Sequence, residues 1–254
     1  MIELQDREAL ERILRRDAEL HLYELGDLDD FFFPHTRWLA NGDAIALVYA
    51  ASDLPVVVAL DRNVETTIDL LRAIRDRLPA RFYAHLTPGA ARAIEGKLEP
   101  YGLHDRMILR DRSIASAIDT SIAFPLRPSD ARELLVFYKE AYPGNWFDPR
   151  MLETGAYFGV RDATGELVAA SGVHVVADRT RVAALGNVTA HPSARGRGFA
   201  RIACAATCKA LFDRVDLIGL NVESSNDAAI ALYRRLGFEQ VARYEEVLVT
   251  PCGP

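Results

Sequence analysis

The spacing of apolar residues in the first half of the chain alternates between the period of a strand and that of a helix. DAIALVYAA and PVVVALD are short apolar runs joined by a turn at residues 52–54, which predicts a β-hairpin. RFYAHL predicts a further strand, PGAARAIEGKL a helix and DRMILRD another strand. Between the hairpin and RFYAHL, a helical period appears in the apolar residues Val64, Ile68, Leu71, Ile74 and Leu78.

Polar segments frame this first half. The charged start of the chain is amphipathic and predicts a helix that reaches about Leu20. An acidic turn, Asp27 to Asp30, leads into an aromatic cluster. The polar stretch from Arg112 to Ser121 is the best candidate for a linker to the second half.

The second half has the same alternation. A short strand in FPL precedes a helix that we expect Ser129 or Asp130 to cap, because a side-chain oxygen there can accept hydrogen bonds from the first amides. AYPGNWFDPRML predicts a loop with a short helix, and AYFGVRD with ELVAASGVHVVA predicts a hairpin. The remaining predictions are a strand in RVAALGNVTA, a helix to about Asp213, a strand in VDLIGLNV, a helix in SNDAAIALYRRLG and a strand in FEQVARYEEVLVT.

The two halves end in similar segments, KLEPYGLHDRMILR and LYRRLGFEQVARYEEVL. Each is interpreted as a helix, a glycine (Gly102 or Gly237) that suits the left-handed end of a helix, one apolar residue and a strand. The order hairpin, helix, strand, helix, strand precedes both endings. The sequence therefore predicts two related domains.

Composition narrows the class of protein. The 254 residues are 50% hydrophobic and 26% charged, as in an ordinary globular protein with a sizeable core. The formal net charge of −6 argues against a general nucleic-acid binder. No apolar run approaches the length of a membrane span, and the charged start is unlike a secretory signal. We expect a soluble, cytoplasmic protein without nucleic-acid or membrane partners.

The cysteines predict neither a disulfide framework nor a zinc site. Cys204 and Cys208 lie one helical turn apart among alanines and are expected to be small core residues, and Cys252 lies near the end of the chain.

The segment HPSARGRGFARIA carries the strongest chemical signal. Glycines allow backbone amides to approach a ligand, and the start of a helix offers unpaired amides and a positive dipole, so a phosphate cradle is one interpretation. A tight turn with solvated arginines is the other. The segment matches neither the P-loop nor the dinucleotide-binding pattern.

Two ordered signatures in this half resemble those of the GCN5-related N-acetyltransferase (GNAT) superfamily. The pyrophosphate signature Gln/Arg-x-x-Gly-x-Gly/Ala is matched within VTAHPSARGRGFA by Arg195, Gly198 and Ala200. The signature Asn-x-x-Ala-x-x-Leu-Tyr-x-x-x-Gly-Phe is matched within LNVESSNDAAIALYRRLGF by Asn226, Ala229, Leu232, Tyr233, Gly237 and Phe238. The resemblance covers roughly residues 122–249.

The resemblance implies an α/β fold of two tandem acetyltransferase-type domains, each with a mixed, mostly antiparallel sheet flanked by helices. Residues 1–115 would be a degenerate acetyltransferase-like domain, and residues 122–254 the acyl-CoA-binding domain. Such a tandem arrangement is similar to the glycine-N-acyltransferase-like and mycothiol-synthase-like branches.

The same resemblance implies acetyl-CoA or another acyl-CoA as co-substrate, and no metal. Pantetheine would pair with a strand edge that a bulge has freed at Val188, Thr189 and Ala190. The Val188 amide would point at the thioester carbonyl, where negative charge develops. The pyrophosphate would contact Arg195, Gly196, Arg197, Gly198, Phe199, Ala200 and Arg201.

Tyr233 is the catalytic residue that the resemblance implies. Its hydroxyl would lie beside the thioester sulfur, and a phenol with a pKa near 10 can protonate a departing thiolate whose pKa is about 8.5. The alternative is a core tyrosine. Asn226 shares the helix face of Tyr233 and is assigned to the cofactor, although it also suits a helix N-cap.

The general base is not identified. Many relatives have glutamate where this chain has Asn187, and an amide does not take up a proton at neutral pH. Either water relays the proton, or another group such as His174, Glu140 or His191 accepts it, or the acceptor amine arrives already neutral.

The function that follows is direct transfer of a short acyl group from coenzyme A to a primary amine in a ternary complex, by a monomer or a homodimer. A non-catalytic acyl-CoA sensor and a nucleotide-phosphate enzyme are the alternatives. The amine acceptor, a small molecule or a peptide, is not defined by the sequence. Trp146 and Phe147 either line its pocket or anchor a loop.

Overall fold

The computed structural model describes residues 2–51 and 53–251, and the chain divides into two compact units. Unit 1 contains the chain up to Met107, residues 222–227 and the chain from Gln240. Unit 2 contains Ile108–Asn221 and Ala228–Glu239. Two residues of the sequence predictions, Ser52 of the hairpin turn and Cys252, lie outside the described residues.

The secondary structure is numbered in chain order. The strands are β1 (Ile2–Leu4), β2 (Thr36–Asn41), β3 (Ala44–Tyr49), β4 (Val56–Ala59), β5 (Phe82–Leu86), β6 (Lys97–Leu109), β7 (Ala123–Pro125), β8 (Phe158–Arg161), β9 (Leu167–Ala177), β10 (Val182–Ala190), β11 (Leu217–Glu223) and β12 (Phe238–Thr250). The α-helices are α1 (Arg7–Leu14), α2 (Leu22–Gly26), α3 (Val64–Ile74), α4 (Arg112–Ser116), α5 (Ala131–Ala141), α6 (Phe199–Leu211) and α7 (Asp227–Arg234).

In unit 1 the strand order is β1-β2-β3-β4-β5-β12-β6. The β3–β4 hairpin is antiparallel, from Ala46 opposite Ala59 to Tyr49 opposite Val56, which confirms the predicted hairpin. β4 and β5 are parallel. The final strand β12 is antiparallel to β5 and lies inside the sheet, with Glu246 opposite His85.

Helix α3 packs on the apolar face of this sheet. It begins after Asn63, whose side chain accepts a hydrogen bond from the Glu65 amide at 3.0 Å. Ile68 and Leu71 are buried against the strands, as their helical spacing predicts. Burying each such side chain stabilises the fold by about 1.5–3 kcal/mol.

Three predictions for the first half are wrong. α1 ends at Leu14, and a 3₁₀ turn follows, so the first helix does not continue to Leu20. PGAARAIEGKL forms only a short 3₁₀ turn at Ala90–Ala93, because β6 already begins at Lys97. β6 runs through Gly102, so no helix precedes that glycine and the two halves do not end alike.

In unit 2 the strand order is β11-β10-β9-β8-β7. β8 and β9 form the predicted antiparallel hairpin, and β10 and β11 are parallel. The predicted linker contains helix α4, in which Asp111 accepts a hydrogen bond from the Ser113 amide at 2.9 Å. The predicted helices α6 and α7 are both present.

Helix α5 does not have the predicted cap. The Asp130 carboxylate accepts a hydrogen bond from the Arg127 amide at 2.7 Å and makes no side-chain hydrogen bond to an α5 amide. It closes the 3₁₀ turn Pro128–Asp130 that precedes the helix.

The predicted fold class is confirmed, since both units combine a mostly antiparallel sheet with helices. Among the described residues, none of the helices has the length and apolarity needed to cross a membrane.

Candidate cofactor site at a strand bulge

The hydrogen-bonded pairing of β10 with β11 stops before either strand ends. Their parallel pairing runs from Val182 opposite Leu217 to Leu185 opposite Leu220, whereas β10 continues to Ala190. The pairing of β10 with β9 also shifts between Gly186 and Thr189, which marks a β-bulge. The segment 186–190 therefore has an edge that the β11 ladder does not use, as the sequence resemblance implies.

Asn187 sits in this bulge with a φ of 54°, in the left-handed region where Asn is tolerated better than most residues. Its side chain is 4% exposed and donates a hydrogen bond to the Tyr157 hydroxyl at 3.0 Å. Its Oδ1 accepts a hydrogen bond from the side-chain amide of Asn145 at 3.2 Å, and its backbone carbonyl accepts one from the Tyr138 hydroxyl at 2.8 Å. Asn187 therefore fixes the bulge and has no role as a base.

Tyr157 anchors this network to β9. Its hydroxyl donates to the Val173 carbonyl at 2.9 Å. Its ring lies directly on Gly172, where an added Cβ would meet ring carbon Cε1 at 2.0 Å. Burial raises the pKa of Tyr157, so the phenol stays protonated and keeps donating at neutral pH.

His174 lies on the other glycine of the bulge region. An added Cβ on Gly186 would meet its Cδ2 at 2.1 Å, and the Trp146 ring centroid is 5.8 Å from that of His174. Burial lowers the pKa of His174 from 6.5 to about 4, so the ring is neutral at pH 7. Within the described residues, its buried Nδ1 has no hydrogen-bond partner.

The loop after β10 leads directly into α6. A 3₁₀ turn at Pro192–Ala194 follows the strand, and then Gly196 and Gly198 adopt φ values of 77° and 83°. A Cβ at either glycine would meet nothing within 4 Å. The backbone angle, and not crowding, is therefore what makes glycine suitable at both positions.

This loop presents a row of backbone donors. The first hydrogen bond of α6 runs from the Ile202 amide to the Gly198 carbonyl at 3.1 Å. In the part of the chain that is described, no protein group accepts from the amides of residues 196–201. Gly196, Arg197 and Gly198 are exposed, and the helix dipole adds partial positive charge. The arrangement suits a bound anion.

The arginines of the loop have different partners. The Arg195 guanidinium contacts the carbonyls of Ala190 at 3.3 Å and Ala141 at 3.5 Å. The Thr189 hydroxyl donates to the same Ala141 carbonyl at 3.3 Å, which ties the end of α5 to the loop. Arg197 lies 4.7 Å from the centroid of the Phe199 ring. Arg201 is exposed on the first turn of α6.

Tyr233 and Asn226, the other predicted site residues, lie on α7 and in the turn before it, and not in the loop after β10. Tyr233 is 7% exposed on α7, and its ring lies 5.9 Å from that of Phe238 in an edge-to-face arrangement. The Asn226 amide donates to the Glu223 carbonyl at 2.9 Å in the turn before α7, and Asn226 belongs to unit 1.

The remaining candidate bases are near the loop. His191 Nε2 lies 3.7 Å from Glu140, and its Nδ1 lies 2.7 Å from the Ser193 hydroxyl. The buried Cys204 and Cys208 line α6 as predicted core residues. A hydrogen bond from Cys204 and burial raise the pKa of the Cys208 thiol, so it is not activated as a nucleophile.

Sequence reasoning missed the residues that hold the bulge, namely Tyr138, Asn145, Tyr157 and Gly172. One available signal was the Gly186-Asn187 pair, since a glycine within a strand pattern often marks a bulge. The partners of Asn187 come from α5 and the segment after it, so their role depends on tertiary contacts.

Comparison with known proteins agrees with this geometry. Residues 125–238 match the family model described as the Acetyltransferase (GNAT) family. The mycothiol acetyltransferase of Tsukamurella paurometabola is 32% identical over 103 residues, which are 39% of this chain. That match spans only 35% of the relative.

Solved structures with low sequence identity share the fold along nearly the whole chain. A GCN5-related N-acetyltransferase from Kribbella flavida has a TM-score of 0.61 and 19% identity, covering 94% of this chain and 95% of its own. A tandem GNAT protein from the clavulanic acid biosynthesis pathway has a TM-score of 0.57 and 14% identity, covering 100% and 99%. The ordered motifs, the family match and the shared fold lead to one conclusion: residues 125–238 match the Acetyltransferase (GNAT) family, and the chain has the same fold as the solved GNAT proteins it is similar to.

Proposed function

We propose that this protein transfers an acetyl or other short acyl group directly from coenzyme A to a primary amine. The observation that carries the proposal is the row of amides at residues 196–201 that donate to no described protein group, and this row follows a strand whose edge a bulge has opened. A diphosphate fits such a row, and an extended pantetheine arm fits such an edge.

The loop and β10 divide the binding of acyl-CoA between them. The amides of residues 196–201 would hold the pyrophosphate, with charge added by Arg197 and Arg201. The Arg195 side chain is held by main-chain carbonyls and would stabilise the conformation of the loop rather than contact the pyrophosphate through its guanidinium. Val188, Thr189 and Ala190 would pair with pantetheine, and the Val188 amide would stabilise the oxyanion of the tetrahedral intermediate.

Tyr233 would protonate the departing thiolate. A group that supplies a proton in the transition state typically contributes about 10²- to 10⁴-fold in rate. The acceptor amine attacks the thioester carbon, the carbon–sulfur bond breaks, and the amine proton leaves to water or to a nearby base. Asn187 is not that base, because the nitrogen and the oxygen of its side-chain amide are both hydrogen-bonded in the buried network.

We also propose that residues 122–254 form the acyl-CoA-binding domain and residues 1–115 a degenerate acetyltransferase-like domain, whose sheet the chain from Gln240 completes. The loop with its row of amides lies in the former range, whereas the segment LDRNVETT follows the hairpin in the latter.

A second candidate function is acyl-CoA binding without catalysis. The observation that favours it is the buried, fully hydrogen-bonded amide of Asn187, which occupies the position where many relatives have a glutamate.

The test is release of free thiol from acetyl-CoA in the presence of a panel of primary amines. We expect turnover that Tyr233→Phe lowers at least tenfold while CoA affinity barely changes. Tyr142→Phe, at a tyrosine that is 45% exposed, is the matched control and should leave turnover unchanged. CoA binding without turnover for any amine would instead support the sensor, and tight ATP binding without CoA binding would contradict both functions.

A further inference from the structure

The sheet of unit 1 has a polar face that the proposed function does not use. On one face, residues of β5 and β12 such as Phe82 and Val247 join the core under α3. The alternate residues point the other way, because successive side chains of a strand face opposite sides. The residues of β5, β12 and β6 that meet on this side include Tyr83, His85, Tyr244, Glu246, His104 and Arg106.

Aromatic rings form a continuous group on this polar face. The Tyr83 ring centroid lies 5.3 Å from that of Tyr101 and 5.6 Å from that of His85. The Tyr244 centroid lies 5.1 Å from His85 and 5.5 Å from His104. We call these five residues the aromatic group. Tyr101 is 49% exposed, so the group reaches solvent at that end.

The carboxylate of Glu246 lies within the aromatic group. Its side chain is 13% exposed, and it accepts hydrogen bonds from the hydroxyls of Tyr83 and of Tyr244, the latter at 3.0 Å. His85 Nε2 and His104 Nδ1 each lie 3.5 Å away, longer than an ordinary N–H···O hydrogen bond. The two phenols that bind Glu246 are neutral donors, because burial raises the pKa of both.

Glu246 forms no direct ion pair with the nearby arginine. Arg106 pairs with Glu24 at 3.6 Å, with both side chains at least 97% buried, and its guanidinium lies 5.7 Å from the Tyr244 ring centroid. Burial lowers the pKa of His85, so that ring is neutral at pH 7. Within the described residues, Glu246 forms no ion pair with lysine or arginine.

Two further observations point to a small polar ligand. The buried Nδ1 of His104 has no hydrogen-bond partner among the residues described, although it faces Glu246. The group is not arranged for a metal ion, since no three His, Cys, Asp or Glu side chains in the described ranges converge in that way. A carboxylate that lies among aromatic rings and pairs with no lysine or arginine of the described residues is instead the chemistry that binds an organic ammonium ion.

We propose that unit 1 carries a binding site for an organic ammonium ion, formed by Glu246 and the aromatic group. The carboxylate supplies the counter-charge, the rings of Tyr83 and Tyr101 at the solvent end supply cation–π attraction, and His104 Nδ1, when it carries no proton, can accept from a ligand N–H. The site is independent of acyl-CoA.

The test is isothermal titration of the full chain with tetramethylammonium and with n-butylammonium. Their neutral counterparts are tert-butanol and n-butanol. We expect saturable binding of at least one ammonium, at least about tenfold tighter than that of its neutral counterpart. Binding of the tetramethyl ion would identify a site based on ring faces, whereas binding of the primary ammonium alone would identify one based on hydrogen bonds. Absence of binding by both ions, or equal binding of the alcohols, would overturn the proposal.

Variants locate the site. Glu246→Gln should weaken ammonium binding at least about tenfold, whereas Glu99→Gln, at an exposed glutamate of β6, should leave it unchanged. If Glu246→Gln does not fold, Tyr101→Ala at the exposed end decides, with an expected several-fold loss. Tetramethylammonium has no N–H and cannot be acylated, so this result is separate from the outcome of the transferase assay.

Discussion

The side-chain amide of Asn187 donates a hydrogen bond to the Tyr157 hydroxyl at 3.0 Å, across the bulge that separates β10 from its neighbour. The same hydroxyl reaches the Val173 carbonyl on β9 at 2.9 Å. Asn187 thus has a structural role in the bulge beside the opened edge of β10.

We expect substitution of Asn187 to lower stability in two separable parts. Asn187→Gly removes the buried hydrogen bonds and should lower the free energy of unfolding by about 1–3 kcal/mol. Asn187→Ala removes the same bonds but keeps a Cβ at a φ of 54° without the polar side chain that helps Asn to adopt it, so it should be about 1 kcal/mol less stable than the glycine variant. Urea denaturation measures both. An alanine variant as stable as the glycine variant would contradict the strain argument.

Gly198→Ala should weaken CoA binding by about tenfold, because an L-residue disfavours a φ of 83° and turning the peptide would redirect the amides of the loop. Gly165→Ala is the matched control, with a φ of 91° and open space around it in the turn between β8 and β9. Calorimetry should show weaker CoA binding for Gly198→Ala only, with a similar loss of stability in both. Equal CoA affinities would exclude the loop as the anion site.

Gly186→Ala should destabilise unit 2 by about 1–3 kcal/mol, because the new methyl group would meet the His174 ring at 2.1 Å. The double variant Gly186→Ala/His174→Ala removes the obstructing ring. A double-mutant cycle measured by thermal or urea unfolding should therefore show a favourable coupling between the two changes. Strict additivity would mean that the ring moves away at no cost.

His174 should make stability depend on pH. Burial lowers its pKa from 6.5 to about 4, so between these values the unfolded chain binds a proton that the folded chain does not. The stability that the neutral ring contributes is present above pH 6.5 and is lost as the pH falls to 4, by about 2–3 kcal/mol. His174→Gln should remove this part of the slope. If the His174→Gln variant keeps the same dependence of unfolding free energy on pH between 6.5 and 4, His174 is not the group responsible.

The sequence predicted elements whose pattern is local. The β3–β4 hairpin, α3, the β8–β9 hairpin and α6 all have apolar spacings that decide between helix and strand. PGAARAIEGKL failed because its alanines favour a helix, whereas the chain at Lys97 pairs within the sheet of unit 1. There the tertiary pairing overrides the local preference.

The candidate site was visible in the sequence only in part. The Arg-Gly loop stands out because glycine has a special backbone freedom, and Gly196 and Gly198 do adopt positive φ values. The contacts of Asn187 with Tyr157 and Tyr138 join segments about 30 and 49 residues away. No periodic pattern encodes such contacts, and the same holds for the polar face around Glu246.

The position of β12 has a consequence for biosynthesis. This strand comes last among the described elements, yet it lies between β5 and β6 in unit 1. During translation the sheet of unit 1 would stay incomplete, with two unpaired strand edges, until residues 240–250 emerge from the ribosome. The strands of unit 2, β7 to β11, all precede β12 in the chain, so unit 2 can complete its folding before unit 1. A nascent chain that stalls before β12 would expose the interior of unit 1 to chaperones and proteases.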